Sequence, residues 1–216
     1  MKHFAVVLSG CGHKDGAEIT ESVSTLISLS ELGISYNCYA PDIEIETVNH
    51  STDQSTGKRN ALEESARIAR GEIKSLKELN TENYDAVVFP GGFGAALHLC
   101  SWAKNGSNCE VHPEAKRVVE SFHEASKPIG AFCIAPTLIA KVLGNSEVTV
   151  TIGNASDVAT EIEKTGAHHV DCAVDDFVTD RENKVVTSPA YMYGEAKPHE
   201  VFKGIRKAIH EISEMA

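Results

Sequence analysis

Apolar residues follow two rhythms along the chain, short unbroken runs of four or five and longer stretches in which they return every third or fourth position. The short runs in Phe4 to Leu8, Asp85 to Phe89 and the strand that opens at Lys127-Pro128 read as strands of a parallel sheet covered on both faces, and Ile34 to Ala40, interrupted by Ser35 and Asn37, reads as a further strand. Between them the 3.6-residue rhythm predicts helices over Ala17 to Leu32 (Ile19, Val23, Leu26, Ile27, Leu29), Ala61 to Arg70, Ala95 to Ala103 and Pro113 to Ser126. A helix following the 127–132 strand ends near Gly144. Beyond it the pattern predicts a strand over Glu147 to Ile152, a short helix from Ser156-Asp157 to Thr165-Gly166, and a hairpin joining 175–180 to 184–188. A long amphipathic helix over Gly194 to Met215 closes the chain, with Val201, Phe202, Ile205, Ala208, Ile209 and Ile212 on one side. Alternating strands and helices of this kind predict one α/β domain spanning residues 1–216, with an added hairpin at the sheet edge.

Residues 43–58 break the alternation. They are polar and irregular, too long for an ordinary connection, and are expected to cover a site or form a contact surface.

The most informative corner is Ala131-Phe132-Cys133-Ile134-Ala135-Pro136, where an apolar strand runs directly into a helix. Such a corner lifts its central side chain above the sheet and turns the next backbone N–H groups into the same space. Small residues two positions either side of Cys133 meet the steric demand of the turn, and Pro136 suits a helix's first turn. Cys133 is therefore the candidate nucleophile, expected to be held as a reactive thiolate by the helix N-terminus. Glu18 falls at the start of the first helix, on the rim of the sheet where this corner sits. The glycine turn Pro90-Gly91-Gly92 follows another strand, so an N–H from Gly91 or Gly92 is expected to join that of Ile134 in a two-donor oxyanion pocket.

Charge narrows the partners. A formal net charge of -11 on 216 residues argues against nucleic acid or an anionic membrane, both of which reward clustered Lys and Arg. Ser9-Gly10-Cys11-Gly12-His13-Lys14-Asp15-Gly16 has three glycines at a strand end but neither phosphate-binding spacing. The first apolar run is too short for a secretory signal, nothing approaches a membrane-spanning length, and six cysteines without disulfide or metal-type spacing suit a reducing compartment. A cytoplasmic address is the expectation, and an organellar protein that has lost its leader would read the same way.

Val88-Phe89-Pro90-Gly91-Gly92 and the Cys133 corner resemble the PfpI/ThiJ superfamily, relatives of the class I glutamine amidotransferases. Leu8 to Gly12, Asp15-Gly16, Arg67 to Ile73, Pro90 to Ala96, Val174-Asp175-Asp176 and Pro189-Ala190-Tyr191-Met192 narrow the resemblance to its ElbB subfamily. The resemblance implies a flavodoxin-like three-layer sandwich, a homodimer, and a glutamate beside the elbow cysteine, falling here on Glu18. It also implies a glyoxalase-like activity on small 1,2-dicarbonyls that needs no cofactor or metal and converts glyoxal to glycolate. Proton transfer by one carboxylate in both directions favours a Glu18 raised toward neutrality by burial. Superfamily peptidases place histidine after the nucleophile, whereas here Ile134 follows. His199-Glu200 are adjacent rather than spaced as in glutaminases, and Thr151-Ile152-Gly153 offers no assisting histidine. His13, His98, His123, His168 and His169 are candidates by residue type only. The competing expectation is a non-catalytic redox or carbonyl sensor in which Cys133 is reversibly oxidised.

Overall fold

The computed structural model describes residues 1–216. Its elements, in chain order, begin with β1 (His3–Val7), α1 (Ile19–Glu31), β2 (Ser35–Ala40), β3 (Glu44–Val48), β4 (Ser55–Asn60), α2 (Ala61–Ile68), β5 (Ile73–Ser75) and β6 (Ala86–Phe89). A π-helical turn (Ala95–Leu99) and α3 (Trp102–Asn105) lead to α4 (Pro113–Glu124), β7 (Ile129–Phe132) and α5 (Pro136–Leu143). The remainder is β8 (Thr149–Val150), α6 (Ser156–Glu163), β9 (His168–His169), β10 (Val178–Asp180), β11 (Val185–Ser188) and α7 (Pro198–Met215).

Seven strands form one sheet in the order β10-β11-β7-β6-β1-β2-β5, parallel throughout except for β10 against β11. Alternate residues of each strand feed opposite faces. Ala5, Val7, Val87, Phe89, Ile129 and Ala131 pack on the side of α4 and α5, whereas Phe4, Val6, Leu8, Val88 and Val186 pack toward α1 and α7. This is the parallel α/β sheet that the apolar strands predict and the flavodoxin-like sandwich that the family resemblance implies.

Four local expectations are corrected. Residues 43–58 are not irregular: β3 and β4 pair as an antiparallel ribbon whose inner side carries the buried Ile45 and Thr47. None of its residues lines the cavity beside Cys133, so it does not cover that site. The helix expected over Ala95 to Ala103 breaks at the extended Cys100, which bridges to Val111, and resumes only as the single turn α3. The strand expected over Glu147 to Ile152 shortens to β8, which pairs with β9 outside the main sheet.

The fourth concerns α1, which begins at Ile19 with Glu18 as its N-cap. Its apolar stripe Ile19, Val23 and Ile27 faces outward, while Glu21, Ser22, Ser24, Thr25 and Ser28 are buried alongside Leu29. The inward hydroxyls are satisfied within the helix: Ser22 Oγ donates to Glu18 O, Thr25 Oγ1 to Glu21 O and Ser28 Oγ to Ser24 O. Small back-bonded side chains let the helix lie close to its neighbours without stranding polar groups.

Candidate active site

β7 delivers Cys133 to the carboxyl edge of the sheet, where its φ of 57° lies in the left-handed region. A non-glycine residue there carries about 1 kcal/mol or more of strain and is held by its surroundings. The Cys133 N–H donates to Ser188 O at 3.0 Å and the Ala135 N–H to Phe132 O at 2.9 Å, which fixes the corner between β11 and the start of α5. Only 8% of the Cys133 residue surface is exposed.

The backbone N–H groups of Gly92 and Ile134 donate toward the sulfur. The N–H of Gly91 does something else. It donates to Glu21 Oε2 at 2.9 Å, so it belongs to the carboxylate's support and is not free for an oxyanion. Gly91 and Gly92 are required for different reasons. A Cβ on Gly91 would run into the Cys133 Cβ, Glu21 Oε2 and Phe132 O. Gly92 has a φ of +92° and sits against the backbone of Gly16 to Glu18.

The carboxyl that meets the sulfur is that of Glu21. It lies beside Cys133, both groups packing against Gly91, and its second oxygen, Oε1, accepts from the Tyr191 N–H at 3.2 Å. Glu18, the residue expected in this place, is turned differently: its Oε2 accepts the Glu21 N–H at 2.7 Å and caps α1. Glu18 still lines the cavity, but it is not the thiol's partner. The reason is the start of the helix. With Glu18 at the N-cap, the residue one turn later faces inward.

Burial pushes the Glu21 carboxyl up to about 8, with the neighbouring Glu18 charge adding to the rise and the N–H groups of Tyr191 and Gly91 opposing it. Burial also raises the Cys133 thiol well above its ordinary value, reinforced by the Glu21 charge and opposed by the Gly92 and Ile134 N–H groups. The expectation of a resting thiolate is therefore corrected. Two facing amides do not offset the loss of water around the sulfur, and at neutral pH both groups hold protons. Glu18 is likewise raised by burial, against its cap hydrogen bonds.

A cavity of about 750 Å³ opens beside Cys133, with His13, Glu18 and Tyr191 among its lining residues. Of the five candidate histidines, only His13 reaches it. His98 bonds Asp15 O, His123 bonds Asn183, and His169 accepts the Ile152 N–H.

The DJ-1/PfpI family profile matches residues 13–196, a span that includes the elbow, the Pro90-Gly91-Gly92 turn and the Tyr191 loop. The chain belongs to the DJ-1/PfpI family. It is 44% identical to the human glutamine amidotransferase-like class 1 domain-containing protein 3, mitochondrial, over 98% of this chain and 82% of that one. It is 42% identical to the rat ES1 protein homolog, mitochondrial, over 98% and 83% respectively. Among solved structures it is similar to an isoprenoid biosynthesis protein with amidotransferase-like domain from Ehrlichia chaffeensis. That structure is 35% identical with a TM-score of 0.91, over 99% of this chain and 100% of that one. Drosophila melanogaster DJ-1beta, at 18% identity and a TM-score of 0.57, shares the fold.

In this family member no helix is long and apolar enough to cross a membrane. Sequence reading missed Glu21 because the apolar stripe of α1 marks the outer face. The signal that points to it is a lone acidic residue on the row of small hydroxyl residues, four positions before Thr25 and seven before Ser28.

Proposed function

We propose that this DJ-1/PfpI protein is a cofactor-independent glyoxalase-like enzyme of the ElbB type, and that its thiol is activated by Glu21. The observation that carries the reading is the placement of the buried Glu21 carboxyl beside Cys133, the two packed together against Gly91. As the sulfur attacks one aldehyde carbon of glyoxal, the ionised Glu21 takes the thiol proton and the hemithioacetal oxygen is held by the Gly92 and Ile134 N–H groups. A proton then moves from that carbon to its neighbour by way of an enediol, which leaves a glycolyl thioester on Cys133. Glu18, which lines the cavity, carries this proton in the proposed course. Water cleaves the thioester, releasing glycolate and restoring the thiol, so one glyoxal and one water give one glycolic acid.

The chemistry asks nothing of a metal or an organic cofactor. Glutamine hydrolysis is the weaker reading, since Ile134 follows the cysteine and no histidine is among the groups bonded to its sulfur. A sensor role is disfavoured because peroxide attack follows thiolate character and exposure, and Cys133 is poor in both.

A homodimer is part of the proposal, with the outward stripe of α1 as its contact. From Ile19 to Ser30 the only charged residue is Glu21, which faces inward. A chain of formal charge -11 thus keeps one apolar strip free of the repulsion that a second copy would otherwise meet. The compartment proposed is a reducing one, the cytoplasm or the mitochondrion for which two relatives are named.

Glycolate formation from glyoxal by the native protein tests the central claim. Many turnovers per chain, abolished in Cys133→Ser, are expected. Stoichiometric loss of a thiol without product, or turnover unchanged in Cys133→Ser, overturns it.

A further inference from the structure

Glyoxal has four heavy atoms, yet the cavity at Cys133 encloses about 750 Å³. That volume falls in the range of about 300–1,000 Å³ typical of pockets that engulf much larger ligands. Its composition is as informative as its size. Apart from His13, Glu18 and Tyr191, the lining is mostly apolar and includes Phe93, Ala96, Trp102, Ala103, Val158 and Met192. Phe93, 52% exposed, is one of these lining residues. Trp102 is buried in the same wall.

These elements come from unrelated parts of the chain. Phe93 and Ala96 lie in the turn after β6 and in the π-helical segment, Trp102 and Ala103 in α3, Val158 in α6, and Met192 follows β11. The break at Cys100 that ends the π-helical turn redirects the chain, and the short helix beyond it supplies Trp102 and Ala103 to the wall. A site for a hydrated two-carbon dialdehyde has no use for such a surface, whereas a hydrocarbon body gains free energy from every group it removes from water there.

We propose that the site takes a carbonyl compound with a hydrocarbon body. The reactive carbonyl would lie at Cys133 between the Gly92 and Ile134 N–H groups, and the chain along the Phe93–Trp102–Val158 wall. The covalent part of this inference rests on the reading of Cys133 as a carbonyl-attacking thiol. The binding part does not. Alkyl 2-oxoaldehydes, R–CO–CHO, are the simplest substrates that combine both halves. They follow the same balanced course as glyoxal, with one water consumed and a 2-hydroxy acid released.

The chain contains a single tryptophan, Trp102, so its fluorescence reports on the cavity wall directly. The first experiment titrates the native protein with hexanol, heptanol and octanol, which cannot react with the thiol. Saturable fluorescence changes are expected, with Kd falling about fourfold per added methylene. Val158→Asp is expected to weaken octanol binding more than tenfold. If that variant fails to give a cooperative melt, Ala103→Glu, at an exposed position of the wall, takes its place with the same expectation. Titrations that do not saturate, a Kd indifferent to chain length, or binding unaffected by the wall variant overturn the proposal.

The second experiment compares kcat/KM for glyoxal, methylglyoxal and hexylglyoxal, and a rise with chain length is expected. Turnover of glyoxal with neither binding nor kcat/KM sensitive to chain length would overturn the hydrocarbon site and leave the glyoxalase reading standing. Alcohol binding with the expected slope, but no 2-oxoaldehyde consumed, would support the site and overturn the catalytic reading.

Discussion

The Glu21 carboxyl is packed beside Cys133 and is itself anchored by the backbone N–H groups of Gly91 and Tyr191. A carboxyl held to about 8 beside a buried thiol makes one ionisation control reactivity. Below it, Glu21 already carries a proton and cannot accept another. Above it, the pair shares one proton and the sulfur can be released for attack.

The rate of glycolate formation should therefore rise with pH and level off above about 8. Glu21→Gln should remove that rise and lower kcat/KM by about 10²–10⁴-fold, the usual contribution of a positioned acid or base. A steady-state pH profile of both proteins checks this.

The same proton affects stability. In the unfolded chain Glu21 ionises near its ordinary value, whereas the folded chain retains the proton up to about 8. Across that interval the native state binds more protons than the unfolded state. Stability is thus fully present below the unfolded value and is lost as pH rises through the interval, by at most about 1.4 kcal/mol per pH unit. Denaturant melts at several pH values should show this slope in the native protein, and Glu21→Gln should flatten it.

Thiol reactivity should part company with turnover in that variant. Above pH 8 the Glu21 charge raises the Cys133 thiol, so its removal lowers the thiol and speeds alkylation of Cys133 by iodoacetamide even as catalysis falls. Mass mapping of the labelled peptides distinguishes Cys133 from the other cysteines. Slower labelling of Cys133 in Glu21→Gln contradicts the pairing.

Gly91→Ala introduces a methyl into the space of the Cys133 Cβ and Glu21 Oε2. Overpacking of this kind costs about 1–3 kcal/mol, and displacement of the pair by about 1 Å is expected to reduce kcat/KM about 100-fold. Thermal melts and kinetics on one preparation measure both.

Val23→Glu places a charge at the middle of the exposed α1 stripe. Sedimentation equilibrium is expected to show dimers of the native chain and monomers of the variant, with glycolate formation per folded chain as the companion readout.

The apolar runs at Phe4 to Leu8 and Asp85 to Phe89 made the sheet legible, because strands covered on both faces leave an unbroken signature. The Cys133 corner was legible for a steric reason, its flanking Ala131 and Ala135. Periodicity misled at α1, where it marks whichever face is apolar, and here the buried face is built from serines and a threonine around Glu21. The β3–β4 ribbon escaped notice because β4 is largely exposed and its residues, Ser55 to Asn60, carry no apolar alternation. The cavity wall was illegible for another reason. Phe93, Trp102, Val158 and Met192 lie in separate elements and meet only through the tertiary fold.

The bond from the Tyr191 N–H to Glu21 spans 170 positions of the chain. During synthesis, then, the carboxyl and the sulfur are both present long before the loop that orients one against the other. A ribosome-bound fragment ending before that loop would carry both groups yet lack the bond that orients one against the other.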